Sequence, residues 1–194
     1  SPDGKWLYFT SDMPGGYGGT DIWRADIRDG KGVGSLENLG SSINTAGNEC
    51  FPSFRPNGKL YFSSDGRSGL GGLDLYFATE DTLSRDWTVK HLPAPMNSAG
   101  NDFGITFDGW HNRGFFSSSR ATGGRGWDKI YEFSYPERLL TVKGWVYEQD
   151  AYELPAAQVQ IVGSDGTNLK VPVKPDGSFE QEVQAGVHYL FLAS

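Results

Sequence analysis

A repeat constrains this chain more than any other feature. The segment Asn44-Thr45-Ala46-Gly47-Asn48-Glu49 returns as Asn97-Ser98-Ala99-Gly100-Asn101-Asp102, an offset of 53 residues. Tyr8-Phe9-Thr10-Ser11-Asp12 recurs as Tyr61-Phe62-Ser63-Ser64-Asp65 at the same offset, and again as Phe115-Phe116-Ser117-Ser118-Ser119 at an offset of 54. A third anchor runs Gly18-Gly19-Thr20-Asp21-Ile22-Trp23, then Gly71-Gly72-Leu73-Asp74-Leu75-Tyr76, then Arg125-Gly126-Trp127-Asp128-Lys129-Ile130-Tyr131, with aspartates spaced 53 and 54 apart. Independent anchors that keep one period to within a residue mark a repeat architecture, because chance likeness between Gly-rich loops does not preserve spacing.

Each unit reads as four short strands. Cys50 to Arg55 is followed by the Pro56-Asn57-Gly58 turn and Lys59 to Ser64; a Gly-rich loop leads to Asp74 to Thr79, and Trp87 to Leu92 closes the unit. Four strands in about fifty residues is the arithmetic of a β-propeller blade, since solenoid repeats are shorter or helical. The composition agrees: 27 Gly, 10 Pro and 14% aromatics suit short strands and tight turns, and disfavour a helical bundle. Up-and-down connections put the loop 65–73 and the crossover 93–102 on one face and the turn at Asn57 on the other. A ring needs roughly four to eight blades, whereas residues 1–136 supply two nearly whole blades and part of another, so the propeller is expected to be incomplete in this sequence.

After Tyr135-Pro136 the repeat stops. Leu139 to Tyr147 alternates, Leu154-Pro155-Ala156-Ala157 bends, Gln158 to Val162 alternates again, Pro175-Asp176-Gly177 turns into a strand, and His188 to Leu192 reads as another. Residues 139–194 are therefore expected to be a small antiparallel β-sandwich that stops inside or just after a strand. The fold class predicted for the whole chain is all-β: incomplete β-propeller blades of four antiparallel strands followed by this sandwich.

The blade motifs, Pro-Asn-Gly-Lys-Leu-Tyr-Phe-Ser-Ser-Asp at 56–65 and Gly-Gly-Leu-Asp-Leu-Tyr at 71–76, resemble the TolB-like propeller repeat as it occurs in OmpA-family envelope proteins of Bacteroidetes. The segment from Gly144-Trp145-Val146 through Leu154-Pro155-Ala156-Ala157-Gln158-Val159 to Asp176-Gly177-Ser178-Phe179 resembles a carboxypeptidase-regulatory-like domain, a transthyretin-like sandwich. The order is similar to that of a type IX secretion component in which helical repeats precede and a peptidoglycan-binding OmpA-like domain follows. The resemblance implies a periplasmic scaffold associated with the outer membrane. It implies protein partners in the cell envelope, with peptidoglycan bound only through a domain outside this sequence. The third unit departs from the pattern, with Ser119 where Asp12 and Asp65 stand.

Several chemistries lack their residues. A net charge of −7 without a Lys/Arg run removes the footprint of nucleic-acid binding. No apolar stretch approaches the roughly 18 residues of a membrane-spanning helix, so no direct membrane insertion is expected. Cys50, the single cysteine, has no partner for an intrachain disulfide and reads as a small buried hydrophobe. No Gly-x-Ser-x-Gly elbow accompanies His91, His111 and His188, which disfavours the cap of a serine peptidase. Neither His-x-x-x-His nor a cysteine pair nor an acidic calcium loop occurs. No cofactor is expected.

Asp21, Asp74 and Asp128 are taken as structural repeat positions that fix loops by accepting backbone N–H bonds, rather than as metal ligands. The loops Gly15 to Gly19 and Gly66 to Gly72 precede strands, not helices, so they are not phosphate cradles. Glu49 and Asp102 leave open a glycan-binding or glycan-cleaving propeller, although a repeat places such carboxylates for structural reasons. The strand aromatics are expected to be core. The candidate partner-binding face is the exposed loop end, represented by Arg67, Asn97, Asn101, Asp102, Arg120 and Arg125.

Overall fold

The computed structural model describes residues 1–27, 33–81, 83–120, 127–135, 139–147 and 157–194. These residues form strands and turns and no α-helix. The chain divides into two compact units, Ser1–Tyr135 and Pro136–Ser194.

The first unit contains three antiparallel sheets in which sequential strands pair. β1 (Trp6–Ser11), β2 (Asp21–Ile27) and β3 (Val33–Asn38) form the first sheet. β4 (Glu49–Phe54), β5 (Leu60–Ser64), β6 (Asp74–Glu80) and β7 (Trp87–His91) form the second, and β8 (Asp102–Phe107), β9 (Arg113–Ser118) and β10 (Lys129–Ser134) the third. Each of the four strands expected in the repeat unit is present to within a residue. Strand β4 ends one residue before the expected end because the Arg55 N–H and carbonyl close the turn instead, bonding Lys59 O at 3.0 Å and Gly58 N at 3.0 Å.

The middle sheet is apolar on both faces, which explains its adjacent aromatic pairs. Leu60, Phe62, Tyr76 and Ala78 pack with Ile22, Leu39 and Ile43 of the first sheet and its crossover. Tyr61 and Leu75 point the other way and pack with Ile105, Phe116 and Phe133 of the third sheet. The joints use the same contact twice: Tyr8 meets Phe54 with centroids 4.6 Å apart, and Tyr61 meets Phe107, each partner 53 positions on, at the same 4.6 Å. Arg55 ties the turn end of this second joint, donating to Trp110 O at 2.7 Å and Asn112 Oδ1 at 3.0 Å while lying over the Phe107 ring.

The strands that begin the second and third sheets carry a bulge at matching places, between Cys50 and Ser53 and between Phe103 and Thr106. The bulge needs one left-handed residue. Gly104 supplies it at φ 65°, but Phe51 adopts φ 56° with a bulky side chain, which strains the backbone by about 1 kcal/mol or more. Its ring stacks on Phe103 at 5.2 Å.

In the second unit β11 (Leu139–Trp145) pairs with β14 (Ser178–Gln184), and β12 (Gln158–Gly163) lies between β13 (Asn168–Pro172) and β15 (Tyr189–Ala193). Val159, Ile161, Val171 and Val173 form a small core, against which Val146 and Phe179 pack. Strand β13 was not anticipated. It is folded back on β12 by a turn in which Gly166, at φ 90°, donates to Gly163 O at 3.1 Å and Gly163 donates to Thr167 O at 2.8 Å. The predicted bend 154–157 lies outside the described residues except Ala157.

Candidate functional site

The loop end of the first unit holds nearly all the residues that the repeat singles out. Two copies of one polar joint account for most of them. In the first copy the Gly19 N–H donates to Gly47 O at 2.8 Å, the Thr20 N–H to Asn48 Oδ1 at 3.2 Å, and the Glu49 N–H to Thr20 O at 2.7 Å. In the second the Gly72 N–H donates to Gly100 O at 3.2 Å, the Leu73 N–H to Asn101 Oδ1 at 3.0 Å, and the Asp102 N–H to Leu73 O at 2.6 Å. The Gly-Gly segment of one unit thus lies directly on the Asn-x-Ala-Gly-Asn crossover. A Cβ at Gly18 would collide with the carbonyls of Thr45 and Gly47, and one at Gly71 with those of Ser98 and Gly100, so the approach requires glycine at both places.

Each crossover is then fastened by an asparagine that imitates a strand. Asn44 Oδ1 accepts the Ile22 N–H at 2.8 Å and Asn44 Nδ2 donates to Ile22 O at 2.9 Å. Asn97 does the same to Leu75, at 2.7 and 2.9 Å, and also donates to Leu92 O at 2.7 Å. Asn97 is therefore 1% exposed, and its expected place on an open face is corrected: its amide is consumed by buried backbone groups that have no other route to water.

Asp102 is corrected for a similar reason, being fully buried. One oxygen accepts the Ser98 N–H at 2.6 Å and hydroxyl at 2.7 Å, and the other accepts Arg120 Nη2 at 2.7 Å. Its counterpart Glu49, also fully buried, takes the Thr45 N–H and hydroxyl, each at 2.7 Å, and the Ser64 hydroxyl at 2.6 Å. The two carboxylates considered for glycan chemistry are fully buried, with their oxygens taken up by loop N–H groups, hydroxyls and, for Asp102, Arg120.

The arginines act as clamps. Arg67 Nη2 donates to Ser42 O at 2.6 Å and Ile43 O at 2.8 Å. Arg120, 53 positions on, donates to Pro95 O at 2.6 Å and Met96 O at 2.7 Å, carbonyls that are themselves 53 positions on. Arg120 also lies over Phe116 and Tyr131, 4.9 and 5.1 Å from their centroids. Both side chains are half-buried, so the expectation of free cations for a partner is corrected: their donors hold the preceding crossover. Asn101 is exposed, as expected, although its amide oxygen is engaged by Leu73. Arg125 lies outside the described residues.

The departure at Ser119 has a simple explanation. Asp65 Oδ1 accepts the Asn48 N–H at 2.6 Å, and Ser119 Oγ accepts the Asn101 N–H at 2.8 Å. The position needs an acceptor, not a charge.

Asp21 and Asp74 are 1% exposed and hold their loops as expected. Asp21 Oδ2 accepts the Tyr17 N–H and Asn38 Nδ2 (2.8 Å), while Asp74 Oδ2 accepts the N–H groups of Leu70 and Gly71 at 2.7 and 3.1 Å. Asp128 is a correction. Ser11 pairs with Asp21 and Ser64 with Asp74, but Ser118 pairs with Lys129. One extra residue shifts Asp128 out of the ladder into an exposed position. The register instead matches Tyr131, opposite Phe116, to Tyr76, opposite Phe62. Among the described residues, no group of three His, Cys, Asp or Glu side chains gathers in a way that could hold a metal ion.

Burial, reinforced by the nearby Asp74 carboxylate and opposed by Arg67, pushes the Tyr76 hydroxyl up to about 12. The unfolded phenol ionises near 10. A raised folded value makes this contribution complete below pH 10 and removes it as pH rises through about 12. Alkaline unfolding is therefore expected in that window, with phenolate absorbance rising together with loss of circular dichroism, and Tyr76→Phe moving the midpoint to higher pH. Phenolate formation complete by pH 10.5 in the folded protein would contradict this.

What the loop end does expose was missed in the sequence. Tyr17 and Leu70, 53 positions apart, are 53% and 52% exposed, each at the tip of the loop whose N–H groups bind Asp21 or Asp74. No family model matches the chain, and a search of curated proteins found no match.

Proposed function

We propose that this chain is a non-catalytic interaction scaffold. In this reading the three sheets of the first unit are consecutive blades of a TolB-like β-propeller, and the second unit is a carboxypeptidase-regulatory-like, transthyretin-like sandwich. The setting is an outer-membrane-associated periplasmic protein linked to type IX secretion, anchored to peptidoglycan through an OmpA-like domain outside this sequence. The observation that carries the scaffold reading is the duplicated joint, in which the recurring polar residues hold one sheet's loop to the next crossover. Such a frame keeps loop tips at fixed spacing while leaving their residues free to vary, which suits recognition of a protein surface.

The surface offered is the exposed tips Tyr17 and Leu70, with Asn101 next to the Leu70 loop, rather than the arginines. The test is affinity recovery from envelope extracts with the intact chain, compared with a Tyr17→Asp/Leu70→Asp variant. The expected result is loss of specific envelope proteins with an unchanged melting temperature, since both side chains are half in solvent. Equal recovery by the two versions would remove this face from consideration.

A further inference from the structure

Four turns in this chain are built the same way, and one of them carries an amide where the other three carry a carboxylate. In Asp3-Gly4-Lys5 and Asn57-Gly58-Lys59 the side-chain Oδ1 accepts the lysine N–H, at 3.2 Å in both. In Asp165-Gly166-Thr167 and Asp176-Gly177-Ser178 it accepts the N–H of Thr167 or Ser178 at 3.0 Å. Each glycine is left-handed, with φ between 70° and 90°, and its N–H donates to the carbonyl three residues back at 2.9 to 3.1 Å. Such a turn requires a side-chain acceptor, and aspartate supplies it as well as asparagine does.

The amide of Asn57 is also placed to react. Asn57 and Gly58 are both exposed, and a Cβ on Gly58 would meet nothing within 4 Å. Of the eight asparagines in the chain, Asn57 alone is followed by glycine, whose peptide nitrogen can approach the preceding carboxamide without hindrance from a side chain. Asn44 and Asn97, by contrast, are 2% and 1% exposed, with their amides spent on backbone groups.

We propose that Asn57 is a site of spontaneous covalent modification, at which the side chain loses its amide as ammonia. The Gly58 nitrogen gives up its proton and attacks Asn57 Cγ; the bond from Cγ to Nδ2 breaks, ammonia leaves with that proton, and a five-membered succinimide joins residues 57 and 58. One water then opens the ring. Breaking the bond from the Gly58 nitrogen to Cγ gives aspartate, and breaking its bond to the main-chain carbonyl carbon gives isoaspartate, with the chain routed through Cγ. The fold treats the two products differently. Aspartate at 57 reproduces the Asp3 turn. Isoaspartate adds a carbon to the main chain between the Arg55 N–H and the Lys59 carbonyl that it bonds at 3.0 Å, so the turn no longer closes as before. Arg55 also holds Trp110 O and Asn112 Oδ1 between β8 and β9, so its displacement loosens the joint between the second and third sheets.

The test is incubation of the intact chain in mildly alkaline buffer made with heavy-oxygen water, followed by peptide mapping. The expected result is a mass gain of about 1 Da, beyond the label, in the peptide that contains Asn57, ahead of every other asparagine. The rate rises with pH, because the attacking nitrogen must lose its proton, and Asn57→Gln abolishes the reaction. Asn57→Asp is expected to keep the melting temperature within about 2 °C. The isoaspartyl fraction, separated by chromatography, is expected to melt about 4 °C lower. A first mass gain at another asparagine would overturn the proposal. So would an inert Asn57 in the folded chain when a peptide of residues 54–61 reacts, by showing that the Gly58 N–H bond to Arg55 closes the route. An isoaspartyl fraction that melts with the unmodified chain would overturn the distinction between the products.

Discussion

Asn97→Ala is expected to lower the thermal midpoint of the first unit by roughly 10 °C, a shift that follows from about 3 kcal/mol lost in a domain of this size. The asparagine side chain takes the Leu75 N–H and returns bonds to Leu75 O and Leu92 O, in a region where Leu75 is wholly buried and Asn97 is 1% exposed. Alanine fills neither role. The Leu75 N–H is left without an acceptor and out of reach of water, and an unsatisfied buried group costs about 1–3 kcal/mol. Asn97→Asp keeps the acceptor but loses the donor and buries a charge, so it is expected to be no milder. Asn101→Ala, at an exposed position, serves as the contrast, at about 1 kcal/mol. Scanning calorimetry decides the matter: an Asn97→Ala shift under about 2 °C would show that the crossover is held by its apolar contacts alone.

The second large effect separates two arginines that look equivalent in sequence. Arg120→Ala is expected to cost roughly 3 kcal/mol and Arg67→Ala roughly 1 kcal/mol, measured by urea unfolding. Both guanidinium groups hold crossover carbonyls, but only Arg120 also pairs with a carboxylate, Asp102, 2.7 Å away and fully buried. Removing Arg120 leaves that charge with the Ser98 donors alone, and removing one partner of a buried pair is more damaging than the pair is beneficial. The Arg120 side chain is 22% exposed, so water reaches the site in part and the upper end of the usual range is not expected. Glu49, in the corresponding place, accepts from Thr45 and Ser64, and among the described residues no ion pair joins it to Arg67. Asp102→Asn is expected to recover part of the Arg120→Ala loss. Equal losses for the two arginine variants would refute the role given to Asp102.

The strands were legible because each leaves a local signature. Alternating apolar residues and Gly or Pro-Asn-Gly turns located β4 to β7 to within a residue, and the opposed aromatics correctly implied that both faces of the middle sheet are covered. The direction of polar loop side chains was not legible in the same way. A repeated Asn or Asp is equally compatible with a surface that binds and with a joint that locks, and only the positions of the neighbouring backbone groups distinguish them. For Arg67 and Arg120 a signal did exist, since they recur at the same offset as the crossovers they clamp. The displacement of Asp128 came from matching an aspartate between loops; aligning Ile130-Tyr131 with Leu75-Tyr76 exposes the extra Lys129. Strand β13 was passed over although Ser164-Asp165-Gly166 is a sound hairpin turn between two alternating runs.

Because each joint involves only adjacent sheets, the first unit behaves as a short one-dimensional chain of coupled elements. The middle sheet is restrained from both sides, while the third is held by a single neighbouring sheet and, among the described residues, β10 pairs with β9 alone, so it is expected to open most easily. Fraying should start at β10 and travel inward, so the third sheet sets the pace at which the entire stack comes apart.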